Sequence, residues 1–156
     1  MKYFATLACE KVIIDNKNAH SLIEIMTNAD IQAVVSPEVD PQQAMMPANA
    51  VLPKEWFIFS IWQQSDAEIG KSFEQVVQVY WPNNEKFVEG RLSFRPVDAK
   101  AQYNSIRLLG FPAGQEGKIK VLTWVEHEHS RITEVFDYFI TIKHRSPQSV
   151  SRAGTF

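Results

Sequence analysis

The sequence predicts an all-β domain, an antiparallel sandwich of about eight strands. Three observations carry that expectation. Apolar and polar residues alternate in a series of segments between Trp56 and His144, and successive side chains of a strand point to opposite faces. Short clusters of Asn, Asp, Gly and Pro separate those segments, as turn formers do between strands. No stretch repeats its apolar residues at the three-to-four spacing of an amphipathic helix,. A closed barrel is the alternative built from the same strands.

The elements follow in order. Residues 3–15 read as the first strand, ended by Asp15-Asn16-Lys17-Asn18, and residues 21–26 return as its hairpin partner. Asn28 and Asp30 break the pattern before a short strand at 31–35. Residues 36–54 are different. Pro37, Pro41, Pro47 and Pro53 deny the segment the N–H groups that a sheet ladder needs,. The segment reads as a long irregular connection, with a helical turn predicted over 41–46. Its second half is apolar and either covers the sandwich or meets a partner.

Residues 56–62, Trp-Phe-Ile-Phe-Ser-Ile-Trp, are apolar on both faces and fit a central strand,. A turn at 65–70 leads to a strand at 73–81, closed by Pro82-Asn83-Asn84. In the strand at 87–97, Gly90 suggests a bulge and Pro96 a strand end,. A weaker strand covers 103–111. Residues 119–128 and 132–144 form the last hairpin. In the latter, Ile132, Glu134, Phe136, Tyr138, Ile140 and Ile142 share one face. Residues 1–145 form the expected domain, and the polar stretch 146–156 reads as a flexible tail.

Composition narrows the function. A chain of 156 residues suits one domain,. At 45% hydrophobic residues it can build a core without disulfides or metal,. The net charge of −2, with Lys and Arg scattered, gives no footprint for nucleic acid,. The single cysteine excludes an internal disulfide and fits a reducing, cytoplasmic setting,. The apolar stretch before Cys9 is too short for a signal h-region, and no stretch has the ~20 apolar residues of a membrane span. Cys9 reads as a buried strand residue.

Four constellations could carry chemistry. His127 and His129, two apart in a strand, share a side and could hold zinc, with Asp137 or His144 as a third ligand; they also suit an ordinary hydrophilic hairpin end. Calcium needs about 6–8 oxygens, whereas Asp15, Asp30, Glu38, Asp40, Asp66 and Glu68 are dispersed. Sugar rings stack on exposed aromatics. Trp81, with Tyr80, beside the Pro82 turn, is the expected platform, while Trp56, Trp62 and Trp124 sit in apolar runs and read as core. Catalysis has no motif behind it: there is no phosphate loop, His-Glu-x-x-His or Gly-x-Ser-x-Gly,. No cofactor is implied.

The Pro/Met connection offers Met45, Met46, Val51 and Leu52 as an adaptable apolar surface,. Unpaired edge strands offer another. The favoured reading is a non-enzymatic protein-binding or assembly module, binding a protein partner or itself as a homo-oligomer, without nucleic acid or membrane. A sandwich that binds calcium or carbohydrate is second, and a hydrolase third.

Leu7-Ala8-Cys9-Glu10-Lys11-Val12-Ile13-Ile14-Asp15, then Ser21-Leu22-Ile23-Glu24-Ile25-Met26, have a characteristic shape. With the proline-rich stretch and Trp56-Phe57-Ile58-Phe59, they resemble an uncharacterised family of small bacterial β-rich proteins. The resemblance covers about the first 65 residues. It implies a bacterial cytosolic β-rich domain of unknown role and carries over no catalytic residue.

Overall fold

A computed structural model describes residues 1–35 and 46–149. The strands are β1 (Lys2–Ile14), β2 (His20–Ile25), β3 (Asn28–Val35), β4 (Val51–Gln63), β5 (Phe73–Tyr80), β6 (Lys86–Phe94), β7 (Ala101–Pro112), β8 (Gly117–His127), β9 (Ser130–Arg131) and β10 (Phe136–Ser149). Among the described residues a 3₁₀ turn spans Asp66–Glu68. Two sheets pack face to face. One has the order β2-β1-β4-β7, the other β3-β10-β8-β5-β6 with β9 beside β8. The fold is therefore an all-β sandwich. Among the described residues, no helix is long and apolar enough to cross a membrane.

One pair departs from the antiparallel pattern. After β2 the chain changes sheets: the Met26 N–H donates to Ala8 O at 2.8 Å, and Thr27 O accepts from the Thr141 N–H at 3.0 Å. β3 thus lands beside β10 and runs parallel to it. At the opposite corner β6 approaches β7 closely. A Cβ on Gly90 would lie 2.8 Å from Ile106 Cγ2. Gly90 is therefore a site of close approach, not the expected bulge; it pairs regularly with Val77, and the irregularity falls between Val79 and Tyr80.

Several boundaries differ from the sequence reading. β4 begins at Val51, inside the stretch expected to be irregular. Pro53 is tolerated because it sits in the register shift between Leu52 and Glu55, where no ladder bond needs its missing N–H. The helical turn expected over 41–46 falls mostly outside the described residues. β10 starts at Phe136, not 132, because the Thr133 hydroxyl takes the Val125 N–H and the Ile132 N–H turns to Val125 O. It then continues to Ser149, pairing with Val35, four residues past the expected domain end.

The core has two apolar parts. The larger joins Ala8, Trp56, Ile58, Ile106 and Leu108 of one sheet to Val77, Val79, Ile119, Val121, Ile140 and Ile142 of the other. The smaller gathers Trp62, Phe73 and Val125. Thr6, Ser60 and Asn104 form one cross-strand row, buried like Gln75 and Thr123 opposite. Gln75 Nε2 donates to Ser60 Oγ and Thr123 Oγ1, at 2.9 and 3.0 Å. Its Oε1 accepts from Trp62 Nε1 and Asn104 Nδ2. A buried amide is tolerated when every donor and acceptor is used, and here all four positions are filled.

Candidate functional site

The structure separates the residues that the sequence grouped. Met46 and Leu52 are partly buried and pack against the larger core cluster. The segment around them is pinned down, since Ala50 O accepts the N–H groups of Ala113 and Gly114 at 3.0 Å each. The described part of the Pro/Met connection therefore covers the sandwich. Val51 does stay 44% exposed, opposite Pro112. Met45 lies outside the described residues.

Trp81 is not an exposed platform. It is 8% exposed, closed by Phe87 across the β5–β6 hairpin in an edge-to-face contact at 5.2 Å. Tyr80 is half-buried; its hydroxyl donates to Gln78 Oε1, and Lys120 Nζ lies 5.1 Å from its ring centre. Trp56 and Trp62 are core, as expected. Trp124 is not: it stands half-buried on the outer face of its sheet, its indole N–H donating to Glu126 Oε1 at 2.8 Å.

His127 and His129 do not share a strand face. Glu128 and His129 take φ of 50° and 64°, so β8 ends at His127 in a turn with both central residues left-handed, the geometry that suits a tight hairpin. His127 is engaged elsewhere: its Nδ1 lies 2.8 Å from Ser72 O, and its ring tilts onto Phe73. With Glu74 and Glu126 the two histidines line an open cleft of about 550 Å³. Among the described residues, no three His, Cys, Asp or Glu side chains converge on a metal position.

The surface that stands out is the β1–β2 hairpin. β4 pairs with β1 only as far as Cys9; beyond it, β1 has β2 alone through Ile14. These residues form a two-stranded arm, and such a ribbon is marginal in water without packing. Its tip is built by Asp15, whose Oδ1 accepts the N–H groups of Lys17 and Ala19. The arm curls back, so that His20 stacks on Tyr103 at 4.8 Å and reaches Phe59 at 5.5 Å. At its base Glu10 pairs with Lys54, whose ammonium is held below its ordinary pKa by burial. Cys9 is fully buried, and burial pushes its thiol up against the lowering effect of a hydrogen bond with the Lys11 backbone.

What this anchoring leaves out is apolar. Ile13, Ile14, Ile23 and Ile25 are 40%, 56%, 40% and 51% exposed. Glu24, between the last two, has φ of 52°. A charged residue in a left-handed kink blunts an edge strand against pairing with another chain. By the pairing, Ile13, Ile23 and Ile25 share one side of the arm with Lys11, and Ile14 lies on the other side with His20, so the arm exposes apolar groups on both sides behind a guarded edge,. Sequence reasoning took these isoleucines as ordinary strand residues. The missed signal was Val12-Ile13-Ile14, apolar on both faces with too little chain around it to cover both.

No family model matches this chain, and no curated protein matches it.

Proposed function

We propose that this chain is a non-enzymatic protein-binding or assembly module that docks a protein on the β1–β2 arm. The observation behind this reading is the exposure of four isoleucines on one two-stranded ribbon. Three of them, Ile13, Ile23 and Ile25, share one side of the ribbon, and apolar side chains gathered on the surface of a small domain mark interaction sites. The kink at Glu24 favours docking by side-chain burial over strand addition. In this reading the contact surface moves away from Met46 and Leu52, which the fold already uses. The module works in the cytosol, where its one thiol stays reduced, and belongs with the small bacterial β-rich proteins that its first 65 residues resemble.

The test is the double substitution Ile23→Ser and Ile25→Ser. Both side chains are about half exposed, so the melting temperature should move by no more than about 4 °C. Surface hydrophobicity, read by binding of an apolar dye, and retention of protein partners should both fall. Retention unchanged from the parent chain would refute the reading.

A further inference from the structure

β8 runs through the middle of its sheet, and its outward side chains read Lys118, Lys120, Leu122, Trp124, Glu126. That is two cations, two apolar groups and an anion along about 27 Å of strand. The neighbouring strands add mixed groups beside it. Lys120 stands opposite Tyr80 and Phe139, Leu122 opposite Gln78 and Asp137, Trp124 opposite Val76, and Glu126 opposite Glu74 and Arg131. Lys86 stands opposite Tyr80 and Arg91 opposite Val76. One end of the face therefore carries Lys86, Lys118 and Lys120. The other carries Glu74 and Glu126, with Glu128 in the turn beyond.

The counter-charges do not erase this polarity. Arg91 is shared among three carboxylates, at 2.5 Å from Glu74, 2.8 Å from Glu89 and 3.1 Å from Glu126. Glu89 lies in the Leu122 row, opposite Gln78, so the end itself sets Glu74, Glu126 and Glu128 against Arg91 and Arg131 and keeps one net negative charge. Asp137 sits in the middle row. At the lysine end Lys86 pairs with Glu89 at 3.6 Å, whereas the other two meet rings: Lys118 lies over Phe139 at 5.8 Å and Lys120 over Tyr80 at 5.1 Å. Phe139 is 43% exposed, and Leu122 and Trp124 are half-buried.

A face that is positive at one end and negative at the other, with Leu122 and Trp124 among the polar Gln78, Glu89 and Asp137 between, is complementary to itself in its charged ends after a half-turn. We propose that the outer face of the β3-β10-β8-β5-β6 sheet associates with the same face of a second copy of this chain. The two-fold axis passes near Leu122. Lys118 and Lys120 of one copy then meet Glu74 and Glu126 of the other, and Leu122, Trp124 and Phe139 are covered. Such an isologous contact closes on itself and needs no second surface. An anionic polymer would suit the lysine end but be repelled by the glutamate end. This face is separate from the β1–β2 arm.

The experiment is sedimentation equilibrium of the full chain over a concentration series at low salt, with two charge-reversed variants. Lys118→Glu with Lys120→Glu makes both ends negative; Glu74→Lys with Glu126→Lys makes both positive. The parent chain should dimerise, and about 0.5 M salt should weaken the dimer. Each variant alone should lose at least about tenfold in affinity. An equimolar mixture of the two should recover the dimer mass. Should the Glu74/Glu126 variant fail to fold, Leu122→Asp replaces it and should also be monomeric. A parent chain that stays monomeric overturns the proposal. So does a dimer that survives the lysine reversal, or folded variants that remain monomers when mixed. A dimer lost on Ile23→Ser and Ile25→Ser but kept on charge reversal overturns it too, while leaving the arm as the binding surface.

Discussion

Gln75 accepts the indole N–H of Trp62 across the gap between the two sheets, at 3.0 Å. The same amide serves Asn104, Ser60 and Thr123, so one side chain satisfies four buried groups on facing sheets. Replacing Gln75 with Leu would strand those groups away from water, at a cost of about 1–3 kcal/mol for each that finds no new partner. A total loss of about 3 kcal/mol is expected, lowering the melting temperature by about 6–12 °C. Thermal unfolding checks this, and a change under about 3 °C would show that the layer is dispensable.

Gly114 is needed for space. A Cβ there would strike the carbonyl oxygens of Pro47 and Ala48 and lie 2.6 Å from Ala50 N. These are backbone atoms and cannot rotate aside. Gly114→Ala should cost about 1–3 kcal/mol and free the 47–50 segment from the sandwich. Proteolysis under native conditions should then cut near Ala48–Ala50, where the parent chain resists.

Acid should loosen the outer face of the β3-β10-β8-β5-β6 sheet. Glu89 is held below the ordinary 4.5 by hydrogen bonds from Gln78 and then Arg91. Glu126 is held below it by Trp124, with Arg91 adding to the effect against partial desolvation. A carboxylate with a depressed folded pKa stabilises above its unfolded value and loses that contribution as pH falls through the folded one. Stability should therefore decline below about pH 4.5. Arg91→Met should flatten part of that decline and leave the part due to Gln78 and Trp124. Urea midpoints measured from about pH 3 to pH 7 would expose an error here as parallel curves for the two proteins.

Cys9 should behave as an inert thiol. It is fully buried, and burial raises its pKa, which lowers the thiolate fraction that reacts. The folded chain should react with Ellman's reagent only as fast as it opens, and the denatured chain at once. Rapid labelling of the folded chain would contradict the packing around Cys9, Phe57 and Ile25.

The strands were legible because alternation is local: Val77, Val79, Ile140 and Ile142 announce their buried face without any knowledge of the partner sheet. The misreadings share a cause in tertiary neighbours. Trp81 read as exposed because Pro82 signals a turn, yet Phe87 folds over it from the next strand. Trp124 read as core because every position from Val121 to Val125 can be apolar. The structure turns Val121, Thr123 and Val125 inward and Leu122 and Trp124 outward. Gln75 breaks the rule that polar residues mark the wet face, since its partners come from strands far away in sequence. The His127–His129 pairing failed at the backbone, where two left-handed residues end the alternation.

Photo-crosslinking from the arm tests the central claim most directly. A benzoylphenylalanine placed at Ile25, about half exposed on the arm, is compared with one at Val97, which is 85% exposed on a loop away from it. The account predicts discrete protein adducts from position 25 and background labelling from position 97. Equal labelling from the two positions would contradict it, because exposure alone would then explain every contact the arm makes.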